Sequence, residues 1–214
     1  MTGHSTSDIE AVIDTKRYPL HRSDTAAYHE LLAQGRAELD ACALFAMEGF
    51  VRESAIAAMV AELDACVPVA TRYQSDRCAY YPIAETFPDD HPRKARHPCS
   101  YYQVLNYQIP NDSPLRLVYY WPPLAEFLRV LCGYDTFFRS DCPHLALTAK
   151  IAAEGDTDGW HFDGNDVVFS LLLQAPEAGG EFEYAPLIRT EDDERYDAVR
   201  DVFENPQANA RRPG

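Results

Sequence analysis

Apolar side chains recur along this chain with two periods, and the change from one to the other divides it. Up to Gly133 the spacing is mostly helical. Ser23 and Asp24 offer N-cap oxygens, after which Tyr28, Leu31, Leu32, Gly35 and Leu39 fall on one face at intervals of three and four, predicting an amphipathic helix. Arg52 to Cys66 predicts a second helix, with Ala55, Ile56, Met59, Val60 and Leu63 turned inward. Pro122-Pro123 opens a third, in which Leu124, Phe127, Leu128 and Leu131 share a side, and Gly133 closes it. Ala43 to Phe50, between the first two helices, is apolar without a helical stripe and predicts a strand. Aromatic residues are dense from Tyr73 to Tyr120, and Tyr101 to Tyr107 predicts a further strand among them.

From Leu145 onward the period is two. Leu145 to Ala152 alternates large apolar residues with small or polar ones, as a half-buried strand does, and Glu154 to Gly159 is rich in turn formers. Val167 to Leu173 is a β-branched and apolar run suited to the core of a sheet. Pro176 to Gly180 then predicts a turn, and Glu181 to Tyr184 a short alternating strand. A helix-rich portion, 1–136, followed by a strand-rich one, 137–214, makes the expected class α+β.

Composition narrows the function classes. With 214 residues, 46% of them hydrophobic, the chain can bury one sizeable core, so a single domain over 1–214 is expected. A net charge of −15 argues against a nucleic-acid partner, because neutralising phosphates needs clustered Lys and Arg. Met1 to Glu10 holds no basic head and no apolar stretch, so neither a secretory signal nor a membrane association is expected. Six cysteines, at 42, 66, 78, 99, 132 and 142, form no Cys-x-x-Cys pair. That scatter suits reduced thiols in a cytoplasmic protein better than a structural zinc site, with Cys42, Cys66 and Cys132 as small core residues.

The candidate chemistry sits in Trp160-His161-Phe162-Asp163. In an extended strand residues two apart share a face, so His161 and Asp163 present an imidazole nitrogen and a carboxylate oxygen side by side. Alone, His-x-Asp also reads as a surface turn or a satisfied polar pair. Placed between strands, it supplies two of the three ligands of a two-histidine, one-carboxylate triad, which leaves open positions on iron(II) for a co-substrate and dioxygen.

The succession of strand, Gly-rich turn, Trp160-His161-Phe162-Asp163, Leu-rich strand and Gly179-Gly180-Glu181-Phe182-Glu183 resembles the core of the iron(II)- and 2-oxoglutarate-dependent oxygenases, a double-stranded β-helix (jelly-roll) superfamily. Leu171 to Tyr184 is similar, more narrowly, to a branch containing hydroxylases and radical halogenases of free amino acids. The strong part of the likeness covers about residues 137 to 190. It implies a jelly-roll core with N-terminal helices packed on it, Fe(II) held by His161 and Asp163, and 2-oxoglutarate as co-substrate giving succinate and CO2. The implied substrate is a small metabolite, a free amino acid. In the halogenases a small residue vacates the carboxylate position for chloride; Asp163 fills it here, which implies hydroxylation. Gly179 and Gly180 serve the turn backbone, and Glu181 and Glu183 read as solvated edge charges.

The chain departs from that pattern in one respect. The family's second histidine, and the arginine that pairs with the far carboxylate of 2-oxoglutarate, lie on late strands, whereas the seven histidines here, at 4, 21, 29, 91, 97, 144 and 161, all precede Asp163. The expectation is therefore a jelly roll lacking its distal strands, in a fragment or shortened member, with unpaired strand edges. His144 is the in-chain candidate for a replacement ligand. His91 and His97 read as exposed loop residues, and Arg189, Arg195 and Arg200 as helix-surface partners of acidic neighbours. Two other functions stay open: a catalytically inactive jelly-roll protein that binds a small ligand or a partner, and a cupin-like metal enzyme using His144. Glu154, Asp156, Asp158 and Asp166 offer an acidic wall to a basic or zwitterionic amino acid, or are turn residues facing water.

Overall fold

A computed structural model describes residues 6–81, 86–165, 167–190 and 192–212. The chain is α+β, with an antiparallel sheet of four strands and several helices. It divides into two compact units, Met1–Ala70 with Val104–Ala149, and Thr71–Gln103 with Lys150–Gly214.

The first unit is helical: α1 (Thr6–Val12), α2 (Ala26–Cys42), α3 (Glu53–Cys66), α4 (Pro114–Tyr120) and α5 (Pro122–Leu131). The cap of α2 is Thr25 rather than Ser23 or Asp24: its backbone is extended and its Oγ1 accepts from the Tyr28 N–H at 3.4 Å. Buried Tyr28, Leu32 and Gly35 form the inner face of α2, and Leu124, Phe127 and Leu131 that of α5. Phe127 meets Tyr28 edge-to-face at 5.7 Å. Full burial of such a side chain contributes about 1.5–3 kcal/mol. Gly35 lets the two helices approach, since a Cβ there would stand 2.8 Å from Leu131 Cδ1 and 3.1 Å from the Phe45 ring. In α3 the buried residues are Ala55, Met59, Leu63 and Cys66. Ser113 caps α4, accepting from Leu115 N–H at 3.1 Å while donating to Glu62 at 2.5 Å.

The strand expected over Ala43 to Phe50 does not form. Ala43 ends α2 in the left-handed region (φ 55°), Gly49 turns the chain again (φ 67°), and the nearest pairing is one bridge just past the segment, Ile13 with Val51. Apolar character alone cannot make a strand when no neighbour takes up its N–H and C=O groups.

The second unit carries most of the sheet. Strand β1 (Thr71–Cys78) pairs antiparallel with β2 (Arg96–Val104), from Thr71 opposite Gln103 to Cys78 opposite Arg96. Two short strands, β3 (Ala149–Ile151) and β4 (Thr157–Asp158), flank the other edge of β2, with Asp158 opposite Cys99 and Thr157 opposite Ser100. Opposed residues share a face, so Tyr73, Ser75, Arg77, His97, Cys99, Tyr101 and Asp158 lie on one side. The β3–β4 turn is clasped by Asp156, which accepts from both Nη atoms of Arg72 (2.7 and 2.5 Å), from Ser100 Oγ (2.8 Å) and from Ala153 N–H (2.9 Å). Helix α6 (Tyr196–Glu204), followed by α7 (Pro206–Asn209), buries Val199 against Ala79 and Tyr80, with Phe162, Ile188, Tyr196 and Phe203 packed around them.

Val167 to Leu173 keeps a two-residue alternation, half-buried at Val167, Phe169, Leu171 and Leu173 and exposed at Val168, Ser170 and Leu172, yet it takes no place in the sheet. The strand predicted over Glu181 to Tyr184 is likewise reduced to one bridge, Tyr184 with Arg211. Its charges are paired rather than merely solvated: Arg212 reaches Glu183 at 2.7 Å and Glu181 at 3.6 Å.

Candidate functional site

The site is built outward from a glycine. Where β4 ends, a Cβ on Gly159 would stand 2.4 Å from His97 Cβ and 2.7 Å from the Pro98 carbonyl oxygen, so only glycine lets the chain press this closely against β2. The Gly159 carbonyl accepts from His161 Nδ1 at 2.7 Å. One residue on, Phe162 N–H donates to Ala79 O at 2.9 Å, tying the segment to the chain that continues β1. The ring of Phe162 packs into the Tyr80–Val199 cluster. Its neighbours on either side meet one another, His161 Nε2 lying 3.3 Å from Asp163 Oδ1.

Both ring nitrogens of His161 thus face oxygen acceptors. A carbonyl can only accept, so Nδ1 carries the proton and the Nε2 lone pair is turned toward the carboxylate. Two arrangements satisfy Nε2 there: a second ring proton, or a cation shared with Asp163. Donors about 2.1 Å from one divalent transition ion, at a right angle, stand about 3 Å apart. The observed 3.3 Å fits adjacent ligand positions on a single ion and equally an N–H···O ion pair. With Nε2 protonated, the hydrogen bond from His161 holds the half-exposed Asp163 carboxyl below the usual carboxylate range, with desolvation opposing it and the charges of His161, Arg77 and Lys150 adding to it. Asp163 is therefore ionised at neutral pH, as a ligand must be.

Beside the pair lies a charged cluster that the sequence pattern did not single out. Asp158 accepts from Arg77 at 3.2 Å, from Cys99 Sγ at 3.2 Å and from Lys150. Burial pushes the Asp158 carboxyl up, but the hydrogen bonds from Lys150 and Cys99 and the charges of Lys150 and His161 outweigh it and the net direction is down. Lys150 Nζ also lies 4.8 Å over the Tyr101 ring, whose hydroxyl burial pushes up to about 12. As the one charge within the apolar run Leu145 to Ala152, Lys150 was a legible signal. The acidic wall is correspondingly weaker than its residues suggest, because Asp156 and Asp158 are engaged by Arg72, Arg77 and Lys150; Glu154 is exposed, and Asp166 lies outside the described residues.

Among the described residues no group of three or more His, Cys, Asp or Glu side chains comes together to hold a metal ion. His144, in the first unit, meets Tyr107 edge-to-face at 5.5 Å. His91 and His97 are not exposed loop residues. His91 stacks on Phe87 at 4.1 Å and accepts from Arg93 N–H, while His97 sits on β2 against Phe203 at 4.6 Å, where burial lowers its pKa. Arg189 pairs with Glu194 at 3.1 Å, as an acidic neighbourhood predicts, but the Nε of Arg200 is buried and has no hydrogen-bond partner. Gly179 and Gly180 both take positive φ, 69° and 68°, which fits their service to the turn backbone. Compared with protein families, with curated proteins and with solved structures, the chain finds no match. No helix among the described residues is long and apolar enough to cross a membrane.

Proposed function

We propose that this chain is a non-haem iron(II)- and 2-oxoglutarate-dependent dioxygenase that hydroxylates a small metabolite, with a free amino acid as the substrate class. The observation that carries this reading is the 3.3 Å approach of His161 Nε2 to Asp163 Oδ1, with Nδ1 already fixed by Gly159. A backbone carbonyl on the far nitrogen is the usual means of orienting a metal-bound imidazole. In this reading β3, β4 and the Val167–Leu173 run open a double-stranded β-helix core over 137–214, and β1 and β2 extend its sheet. His161 and Asp163 hold the iron as two of its protein ligands.

Bound iron, with 2-oxoglutarate and dioxygen, supplies an oxidant able to attack an unactivated C–H bond, releasing succinate and CO2. The chain's own residues keep Asp163 anionic, fix the ring of His161, and set two cations, Arg77 and Lys150, beside the pair. Asp163 occupies the position that a halogenase would leave to chloride, so hydroxylation is the expected outcome. A cytoplasmic setting, with all six thiols reduced, belongs to the same reading.

Anaerobic loading with Fe(II), followed by oxygen, 2-oxoglutarate and a panel of free amino acids, tests it through succinate release. Turnover that disappears in both His161→Ala and Asp163→Ala is expected; a full-length protein that binds no Fe(II) refutes it. A second reading, a jelly-roll protein that binds without catalysis, draws on the lack of a three-donor cluster among the described residues. Metal and 2-oxoglutarate binding without succinate would favour it.

A further inference from the structure

We infer that Arg189 is a positioning residue for the His161–Asp163 pair, acting through the ring of Phe162. This rests on the reading of that pair as metal ligands. Phe162 is the single residue between the two, so its backbone torsions set how far apart Nε2 and Oδ1 stand. Its N–H is tied to Ala79, and its ring is held from two sides. The Tyr80 ring lies 4.8 Å away, and the Arg189 guanidinium carbon sits 3.8 Å from the Phe162 centroid.

Arg189 is itself anchored. Its Nη1 meets Glu194 Oε2 at 3.1 Å, and the other oxygen of Glu194 faces Arg93 Nη2 at 3.8 Å. Arg93 lies over the rings of Tyr80 at 5.1 Å and Phe87 at 5.8 Å. Two guanidinium groups therefore share one carboxylate. Tyr80 does not supply a second anion, because burial pushes its hydroxyl up to about 12 and it stays a neutral phenol. The charge that Glu194 leaves uncompensated is directed at ring faces, which attract a flat cation through their quadrupole. This also separates Arg189 from an anchor for a co-substrate carboxylate, since its guanidinium is committed to Phe162 and Glu194. The Phe162 ring packs into the Tyr80–Val199 cluster while the Asp163 carboxylate is exposed, so the two face different surroundings. Arg189 thus braces the ligand-bearing tripeptide from behind.

The test is Co(II) titration of the full chain, read by calorimetry and by the visible absorption of the bound ion. Arg189→Met is expected to weaken Co(II) binding about tenfold, the loss typical of removing a group that orients a ligand. It should alter the absorption envelope and leave the circular dichroism spectrum unchanged. Arg189→Lys, which keeps the charge but not the plane, should recover part of the affinity. Glu194→Gln should lose a smaller part of the same affinity. Val202→Ala, which opens a cavity in α6, should lower the melting temperature without moving affinity or spectrum. If His161→Ala abolishes binding while Arg189→Met keeps wild-type affinity and spectrum, Arg189 has no positioning role and the metal pair stands. Should Arg189→Met fail to fold, unchanged affinity and spectrum in Glu194→Gln overturn the inference equally. If the wild-type chain takes up no Co(II), or His161→Ala binds as well as wild type, the metal reading fails and the inference with it.

Discussion

The two units of this chain satisfy their polar groups in different ways. In the helical unit buried polar side chains find hydrogen-bond partners within the unit: Ser113 bridges a helix cap and Glu62, and Asn106 engages Arg116 and the Cys142 carbonyl. In the sheet-bearing unit charge is paired at partly exposed positions, through Arg72–Asp156, Arg77–Asp158–Lys150, Arg93–Glu194–Arg189 and His161–Asp163. Among the described residues, the buried side-chain atoms left without a hydrogen-bond partner are Tyr80 Oη, Arg93 Nε, His97 Nε2 and Arg200 Nε. All four belong to the sheet-bearing unit. Buried polar atoms normally find partners, so these four mark the unit in which packing leaves polar groups least satisfied.

Substitutions break this contrast from either side. Phe127→Ala, in the helical core, should produce the largest loss, about 4 kcal/mol in urea unfolding, because the cavity adds to the lost transfer energy. A loss under about 1 kcal/mol would show that this ring does not anchor its unit. Gly159→Ala should cost about 1–3 kcal/mol through overpacking against His97 and Pro98. It should also displace the His161–Asp163 pair, which metal titration would register. Retained metal affinity would mean that β4 adapts.

A pH series sharpens the comparison. Asp156 is held far below the ordinary carboxylate value, chiefly by its hydrogen bond from Arg72 and then by those from Ala153 and Ser100. A depressed folded pKa contributes stability that is present above the unfolded value, about 3.9, and is lost as pH falls through that value toward the folded one. Melting temperature should therefore fall between about pH 5 and pH 2. In Asp156→Asn the decline should be shallower and the neutral-pH melting point several degrees lower; an unchanged slope would assign the acid sensitivity elsewhere. The smallest effect is expected for Thr25→Ala, about 1 kcal/mol from the lost cap of α2, without change in metal binding.

Three helices, α2, α3 and α5, were legible to within a few residues, with the cap of α2 moving from Ser23 or Asp24 to Thr25 and Arg52 becoming the cap of α3, whereas α1, α4, α6 and α7 were not predicted. Strands were legible only in part: β1 was not predicted, and the strand expected over Tyr101 to Tyr107 is Arg96–Val104, with Asn106–Gln108 a 3-10 turn. Arg96–Val104 pairs on both edges and is a strand; Ala43–Phe50 and Val167–Leu173 have equally suitable side chains and are not. Within the site, the adjacency of His161 and Asp163 followed from the two-residue period. Arg77 and Cys99 could not be found that way, because they reach Asp158 from 81 and 59 residues away. The burial of His97 against Phe203 was hidden for the same reason, since its Pro-rich surroundings read as a loop.

What the sequence determined by itself was whatever closes over a few residues. Helix hydrogen bonds run four residues, caps three, and the side chains at 161 and 163 meet across a single intervening residue. Tertiary structure alone decided which apolar runs became strands, which carboxylates were neutralised, and why residue 159 has no side chain. Each of those depends on a partner far away in the chain, and the local pattern carries no record of where that partner will be.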